Sequence, residues 1–189
     1  IPFGLLIGKV FYKKDIRLEG SGNIGATNVW RLCGKPAGIL TFLLDGLKGA
    51  IPVIISKYIF LNPLLPFIIA LVCILGHIFS IYLKFKGGRG VATMLLILFA
   101  INLKLGIFAS VLWILIFLCF GYSSLSSILM CILIVPFAFG LEGITSILPW
   151  FCIIFSTIVI LKHKENLSRL FSREEKKMFS KALFKLYKN

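Results

Sequence analysis

The residues able to do chemistry fall into four clusters. In the first, Gly20-Ser-Gly-Asn-Ile-Gly-Ala-Thr-Asn-Val-Trp-Arg31, the glycines Gly20, Gly22 and Gly25 alternate with Ser21, Asn23, Thr27 and Asn28, and Lys35 follows Arg31 closely. Small residues let backbone N–H groups approach a ligand and take positive φ, while hydroxyl, amide and guanidinium groups add donors. Such a set suits a phosphate. A flexible connector is the simpler reading, but linkers are seldom closed by asparagine and arginine.

The second cluster, Lys86-Gly87-Gly88-Arg89-Gly90, leads into an apolar run. A helix beginning there would offer unpaired N–H groups, a positive dipole end and two full charges to an anion. The third is Asp45 with Lys48, three apart inside an apolar run and so on one helical face, with His77 in the next run; structural support beneath a site is their expected role. The fourth is His163, Asn166 and Arg169, which share a face if the last apolar helix continues straight, with His163 suited to acid–base work or to hydrogen bonding an anion. Ser124 and Ser127, three apart at the start of another run, are candidate substrate-binding hydroxyls or simple helix caps. No metal-ligand spacing or nucleophile elbow is present, so neither a metal nor a cofactor is expected.

The elements that must carry these clusters are set by composition. A mean hydropathy of +1.00, with 59% hydrophobic and 15% charged residues, predicts an all-α integral membrane protein. The apolar runs predict seven transmembrane helices in one domain over 1–189, at about 1–11, 37–57, 64–83, 90–103, 105–122, 125–140 and 147–161, followed by a basic tail over 162–189. The first run is short for a hydrocarbon core ~30 Å thick, so its beginning is expected to be missing. A signal peptide would need a basic flank before the run and a cleavage site after it. Leu105 to Leu141 holds 37 residues without a charge, with the turn expected at Gly121–Ser127. The run between Arg89 and Lys104 makes a helix of only about 21 Å, expected to start below the membrane surface.

Charge sets the orientation. Five basic residues in the first motif loop, three in the glycine loop and nine in the tail lie on one side, 17 of 21 in all. That side should be cytosolic, which puts the amino terminus outside and the carboxyl terminus in the cytosol. The net charge of +14 is thereby read as membrane flanks; no nucleic-acid recognition motif accompanies it. Cys33, Cys73, Cys119, Cys131 and Cys152 show no paired spacing, and four lie in apolar runs as small hydrophobes.

Residues 20–31, Asp45-Gly-Leu-Lys-Gly49, Gly76-His-Ile-Phe79 with 83–93, and His163-Lys-Glu-Asn-Leu-Ser-Arg-Leu170 together resemble, in order and through nearly the whole chain, the bacterial acyl-phosphate:glycerol-3-phosphate acyltransferase family. The resemblance implies transfer of a fatty acyl group from acyl-phosphate to the 1-hydroxyl of glycerol-3-phosphate. The products are lysophosphatidic acid and phosphate, in the first step of phospholipid synthesis at the bacterial inner membrane. It implies Ser21, Arg31, His163 and Asn166 as catalytic residues, with Gly22, Asn23, Thr27 and Asn28 around the first two. Gly87, Gly88 and Gly90 are implied to hold the acyl-phosphate and Arg89, where lysine is usual, to contact phosphate. Glu175 matches a structural acid, and Arg173 stands where many members have glycine. Implied partners are the two substrates, membrane lipid and the soluble enzyme that makes acyl-phosphate, with no nucleic acid.

Acyl-phosphate is a mixed anhydride with a good leaving group, so the task is to bring two anions together with a hydroxyl held against the acyl carbon. Direct transfer without an acyl-enzyme is expected, the proton passing to His163 or to a substrate phosphate. Two rival classes remain. A transporter of phosphate compounds would need polar groups on both sides of the midplane, whereas the outer side offers little beyond Asn62, Asn102, Lys104 and Glu142. A non-catalytic binder of anionic lipid would account for the basic tail and leave the glycine loops unexplained.

Overall fold

A computed structural model describes residues 1–178; the last part of the basic tail lies outside the described residues. Every regular element among them is helical: α1 Phe3–Tyr12, α2 Ala26–Cys33, α3 Lys35–Ile59, α4 Leu65–Ile78, a short 3-10 turn Ile81–Leu83, α5 Val91–Ile101, α6 Leu103–Phe120, α7 Ser123–Glu142, α8 Ile147–Lys162 and α9 Lys164–Phe171. The ends follow local chemistry. The Asn102 side chain accepts the Leu105 N–H at the start of α6, Gly121 takes left-handed backbone at its end, and Ser146 accepts the Leu148 N–H at the start of α8.

α3, α4 extended to Leu83, α6 and α7 are long and apolar enough to cross a membrane; α8 with α9 would make a fifth, bent by 60°. α1 and α5 are apolar but only 10 and 11 residues long. Two sequence expectations are corrected here. The stretch between the first two runs contains a helix, α2, bounded by Gly25 and by Gly34 at φ 92°. The last apolar helix does not continue straight past Lys162; the chain turns sharply at His163, so the stepping by three holds only from Asn166 to Arg169 within α9.

The core is built on α3 and α5, brought close because Gly46 and Gly49 leave room for Leu96, Thr93 and Ile97. Ala70, Ile74, Met94, Leu98, Met130, Ile134, Phe155 and Val159 fill the space between α4, α5, α7 and α8. Outward positions such as Ile51, Val72, Val111, Leu118 and Ile154 stay exposed and apolar, as suits helices in lipid. The two ends of the bundle differ. At one, the starts of α3, α5 and α7 and the ends of α6 and α8 surround a cavity. At the other, Lys57 caps the carbonyls of Ala100 and Ile101, and Glu142 accepts from Asn102 and Ser146.

Candidate active site

The first motif folds around Asn28, which is buried. Its amide donates to the carbonyls of Ile16 and Asn23, both at 2.9 Å, and of Glu19 at 3.3 Å, while its Oδ1 accepts the Ser21 N–H at 2.9 Å. Gly20 sits against that Oδ1 at φ 65°, where any Cβ would collide with it. Asn28 therefore shapes the loop and has little capacity left for a ligand. The loop turns Ser21 and Asn23 toward the cavity with no partner for their side chains among the described residues, whereas Gly22 is exposed and off the wall. One α-helical turn past Asn28, Arg31 faces the same space; its Nη1 is 3.5 Å from Asn28 Oδ1, too long to hold it. Thr27 bonds Ser123 at 3.0 Å, tying α2 to α7.

The glycine loop does something other than cradle a phosphate with every glycine. It folds back on the C-terminal end of α4, where the Gly87 N–H donates to the Ile78 carbonyl at 2.9 Å and the Gly88 N–H to the His77 carbonyl at 3.3 Å. A Cβ on Gly87 would strike the carbonyls of His77 and Ile78, and one on Gly88 the imidazole of His77. These two glycines and Lys86 do not line the cavity; Arg89, Gly90 and the first turn of α5 do. That turn presents N–H groups with no partner inside the helix. Burial pushes the Arg89 guanidinium down from its ordinary value, Glu175 working against it, yet arginine stays charged. Asp45 and Lys48 pair beneath the site, with the buried His77 Nδ1 3.9 Å from Asp45 Oδ1; Asp45 and His77 reach the cavity wall and Lys48 does not.

His163 occupies the break between α8 and α9 and is 2% exposed. Its Nδ1 lies 2.8 Å from the Val159 carbonyl, which can only accept, so Nδ1 carries the hydrogen and Nε2 keeps a free lone pair. Burial pushes the imidazole down to about 4, against the raising effect of that hydrogen bond. His163 is thus neutral at physiological pH.

The segment after α9 crosses the mouth of the cavity. Glu175 accepts from Ser124 at 2.7 Å, from Asn166 at 2.6 Å and from Arg169 at 2.8 Å. Burial works against its charge, but these hydrogen bonds outweigh burial and hold the carboxyl below its usual value. Lys176 reaches the Gly20 carbonyl at 2.7 Å and the Met178 N–H the Gly121 carbonyl at 2.9 Å, so the strap joins three other parts of the chain. Asn166 lies behind Glu175, 1% exposed and off the cavity wall. Ser127 donates to the Ser123 carbonyl and accepts from Trp113 Nε1, leaving it a frame hydroxyl.

The cavity holds about 680 Å³. Its polar end gathers Ser21, Asn23, Arg31, Arg89 and His163 from the three motifs, and its other arm is apolar, with Phe42 of α3, Leu96 and Phe99 of α5, and Trp113 and Phe117 of α6. Among the described residues Arg31 and Arg89 form no ion pair, and no group of three or more His, Cys, Asp or Glu could hold a metal ion. Of the strap, sequence reasoning had only Glu175, implied by the resemblance as a structural acid, and it did not find the side chains of the apolar arm. Phe99, Trp113 and Phe117 gave no signal, since aromatic residues in an apolar run are ordinary core.

Comparison with known proteins settles which family has this geometry. A family model described as glycerol-3-phosphate acyltransferase matches residues 1–173. The chain belongs to the glycerol-3-phosphate acyltransferase family. A family member from Pelagibacter ubique (strain HTCC1062) is 45% identical over 94% of this chain and 90% of its own length, and one from Ehrlichia canis (strain Jake) is 40% identical over 94% and 92%. The fold matches the crystal structure of PlsY, an integral membrane glycerol 3-phosphate acyltransferase, in its glycerol 3-phosphate form. The TM-score is 0.86 at 36% identity, covering 97% of this chain and 92% of that one. The lysophosphatidic acid form of PlsY gives 0.78 at 37% identity, over 93% and 91%. Family membership makes this chain a membrane acyltransferase of phospholipid synthesis.

Proposed function

We propose that this acyltransferase moves a fatty acyl group from acyl-phosphate to the 1-hydroxyl of glycerol-3-phosphate, giving lysophosphatidic acid and inorganic phosphate. The observation that carries the reading is the pair Arg31 and Arg89. Two guanidiniums with no carboxylate partner among the described residues face one cavity whose other arm is lined by Phe42, Leu96, Phe99, Trp113 and Phe117. Free cations ask for anions, and the apolar arm asks for an alkyl chain. The names of the relatives and the two ligand forms of PlsY support the acceptor and the product.

In this mechanism Arg31 and Arg89 offset the repulsion between the two phosphate-bearing reactants. The free N–H groups at the start of α5 and the Ser21 hydroxyl steady the donor phosphate. The 1-hydroxyl attacks the acyl carbon, its proton passes to His163 Nε2, the new ester bond forms, and the bond from the acyl carbon to the phosphate oxygen breaks. His163, neutral and accepting at Nε2, addresses the hydroxyl better than a phosphate. Gly87 and Gly88 set the position of Arg89 by packing on His77, Thr27 and Ser127 hold α2, α6 and α7 in register, and Asn166 acts through Glu175.

Seven spans complete the proposal, with the amino terminus outside, the cavity at the cytosolic face and, in a bacterium, the inner membrane as its site. The soluble enzyme that makes acyl-phosphate is the natural partner at that face. The test uses purified protein in detergent with acyl-phosphate and glycerol-3-phosphate, following both products. Folded protein that releases neither phosphate nor lysophosphatidic acid would remove the reading.

A further inference from the structure

We infer that Phe99 sets the acyl-chain selectivity of this site by ending the apolar arm, so that a straight chain longer than the arm must turn out into lipid. The inference rests on the acyltransferase reading and adds the residue that selects among donors. Each helix shows one face to the arm. On α5 the lining residues Ala92, Leu96 and Phe99 recur at helical spacing, as do Ser110, Trp113 and Phe117 on α6. Among the described residues the wall goes no further than Phe99 on α5, Asp45 on α3 and, on α6 running back the other way, Ser110. Phe99 therefore stands at the deep end.

Its ring has a seat there. A Cβ on Gly106 of α6 would come within 2.6 Å of Phe99 Cγ and 2.8 Å of Cδ1, so it is the bare glycine that lets the ring lie against α6 and close that side. The α3 side is sealed where Leu96 packs on Gly46 and Ile97 on Gly49. What stays open is the face between Ile39 of α3 and Ile114 of α6, which line the cavity and are 43% and 50% exposed. From Gly90, beside Arg89, to Phe99 the chain rises about 13–14 Å at 1.5 Å per residue. An extended alkyl chain advances about 1.25 Å per carbon, from bonds of about 1.5 Å at tetrahedral angles, so the arm houses about ten or eleven carbons. Attraction cannot measure what lies beyond, because lipid tails are as apolar as the arm and a methylene gains little by moving between them. Selection works by exclusion: a straight chain that reaches Phe99 must take up forced torsions to leave by the open face.

The test gives purified protein in detergent glycerol-3-phosphate and a mixture of saturated acyl-phosphates, from about 10 carbons, which fit the arm, to about 16, which do not. Mass spectrometry reads the chain lengths of the lysophosphatidic acid formed. Competition within one mixture yields ratios of kcat/KM, and the partition of each donor into micelles is common to all variants, so it cancels between them. Phe99→Ala should raise the ratio of the longest to the shortest product about threefold to tenfold over wild type, the worth of torsions no longer forced, and Phe99→Leu should raise it less. Ser110→Phe fills the arm from α6 and should lower the same ratio, which keeps the inference open to test if Phe99→Ala melts early. A product distribution unchanged from wild type in both folded variants would overturn the inference, as would a loss of turnover equal at every chain length. A folded wild type that makes no lysophosphatidic acid from any donor would instead sink the acyltransferase reading itself.

Discussion

Among the described residues Arg31 and Arg89 make no ion pair, unlike Arg17, Lys48 and Arg169, so their removal should affect chemistry more than folding. Arg31→Gln or Arg89→Gln should each lower kcat/KM by about 10- to 100-fold, the worth of a charge-assisted hydrogen bond, with little change in melting temperature. Arg89→Lys should lose less. His163 gives a pH prediction. Its base must be unprotonated, and burial pushes it down to about 4, so this group removes no activity between pH 8 and pH 6 and imposes a fall only as pH drops through its folded value. Rates measured on acyl-phosphate across that range, compared with His163→Gln, check this. The residue types suggested a phosphate-binding set, but could not show whether a donor was already engaged. Asn28, Thr27 and Ser127 carry the same groups as Ser21 and Asn23, yet their partners are other parts of the protein. Nothing in one-dimensional spacing separates the two cases.

At the scale of elements, the long helices were legible because uninterrupted apolar runs have few other solutions in lipid. α2 was readable in principle from Val29 and Cys33 between Gly25 and Gly34-x-Pro36, a start and stop that the glycine-rich stretch before it obscured. The break at His163 left no mark, since Leu-Lys-His-Lys contains no Gly or Pro to announce it. The glycine loop yields a discriminating prediction. Gly88→Ala would push a methyl group into the His77 imidazole, so it should cost about 1–3 kcal/mol of stability by overpacking, seen as a lower melting temperature in detergent. A cradle role would predict weaker donor binding at unchanged stability. The strap adds a second. Glu175 has its pKa lowered in the fold by Ser124, Arg169 and Asn166 against burial, and that of His163 is lowered by burial. Both groups bind protons more readily unfolded, so stability contributed by each is present above its unfolded value and is lost as pH falls through its folded one. Thermal unfolding should therefore occur at lower temperature at pH 5 than at pH 7 through His163, and His163→Gln should flatten that slope, while the loss from Glu175 sets in only below its ordinary value of 4.5.

For the whole molecule, the helix ends make the placement of function one-sided. Ser21, Arg31, Arg89 and His163 sit at one end of the bundle, while Lys57, Asn102 and Glu142 neutralise one another's surroundings at the other. The proposed topology depends on α5, whose 11 residues rise only about 17 Å, well short of a ~30 Å core. Between the exposed Leu18 in the first motif loop and the exposed Ile144 in the turn before α8 lie α3, α4, α5, α6 and α7. If all five cross, the two positions face opposite sides; if α5 merely dips in and returns, they face the same side. Neither side chain takes part in a hydrogen bond, so cysteines there should leave the fold alone. With the five native cysteines replaced, a membrane-impermeant maleimide on intact cells should label Ile144→Cys at once and Leu18→Cys only after the membrane is opened. Labelling of both from outside, or of neither, would mean that α5 does not cross. Labelling of Leu18→Cys alone would invert the protein and take the cavity away from the cytosol, where both phosphate-bearing substrates would have to reach it.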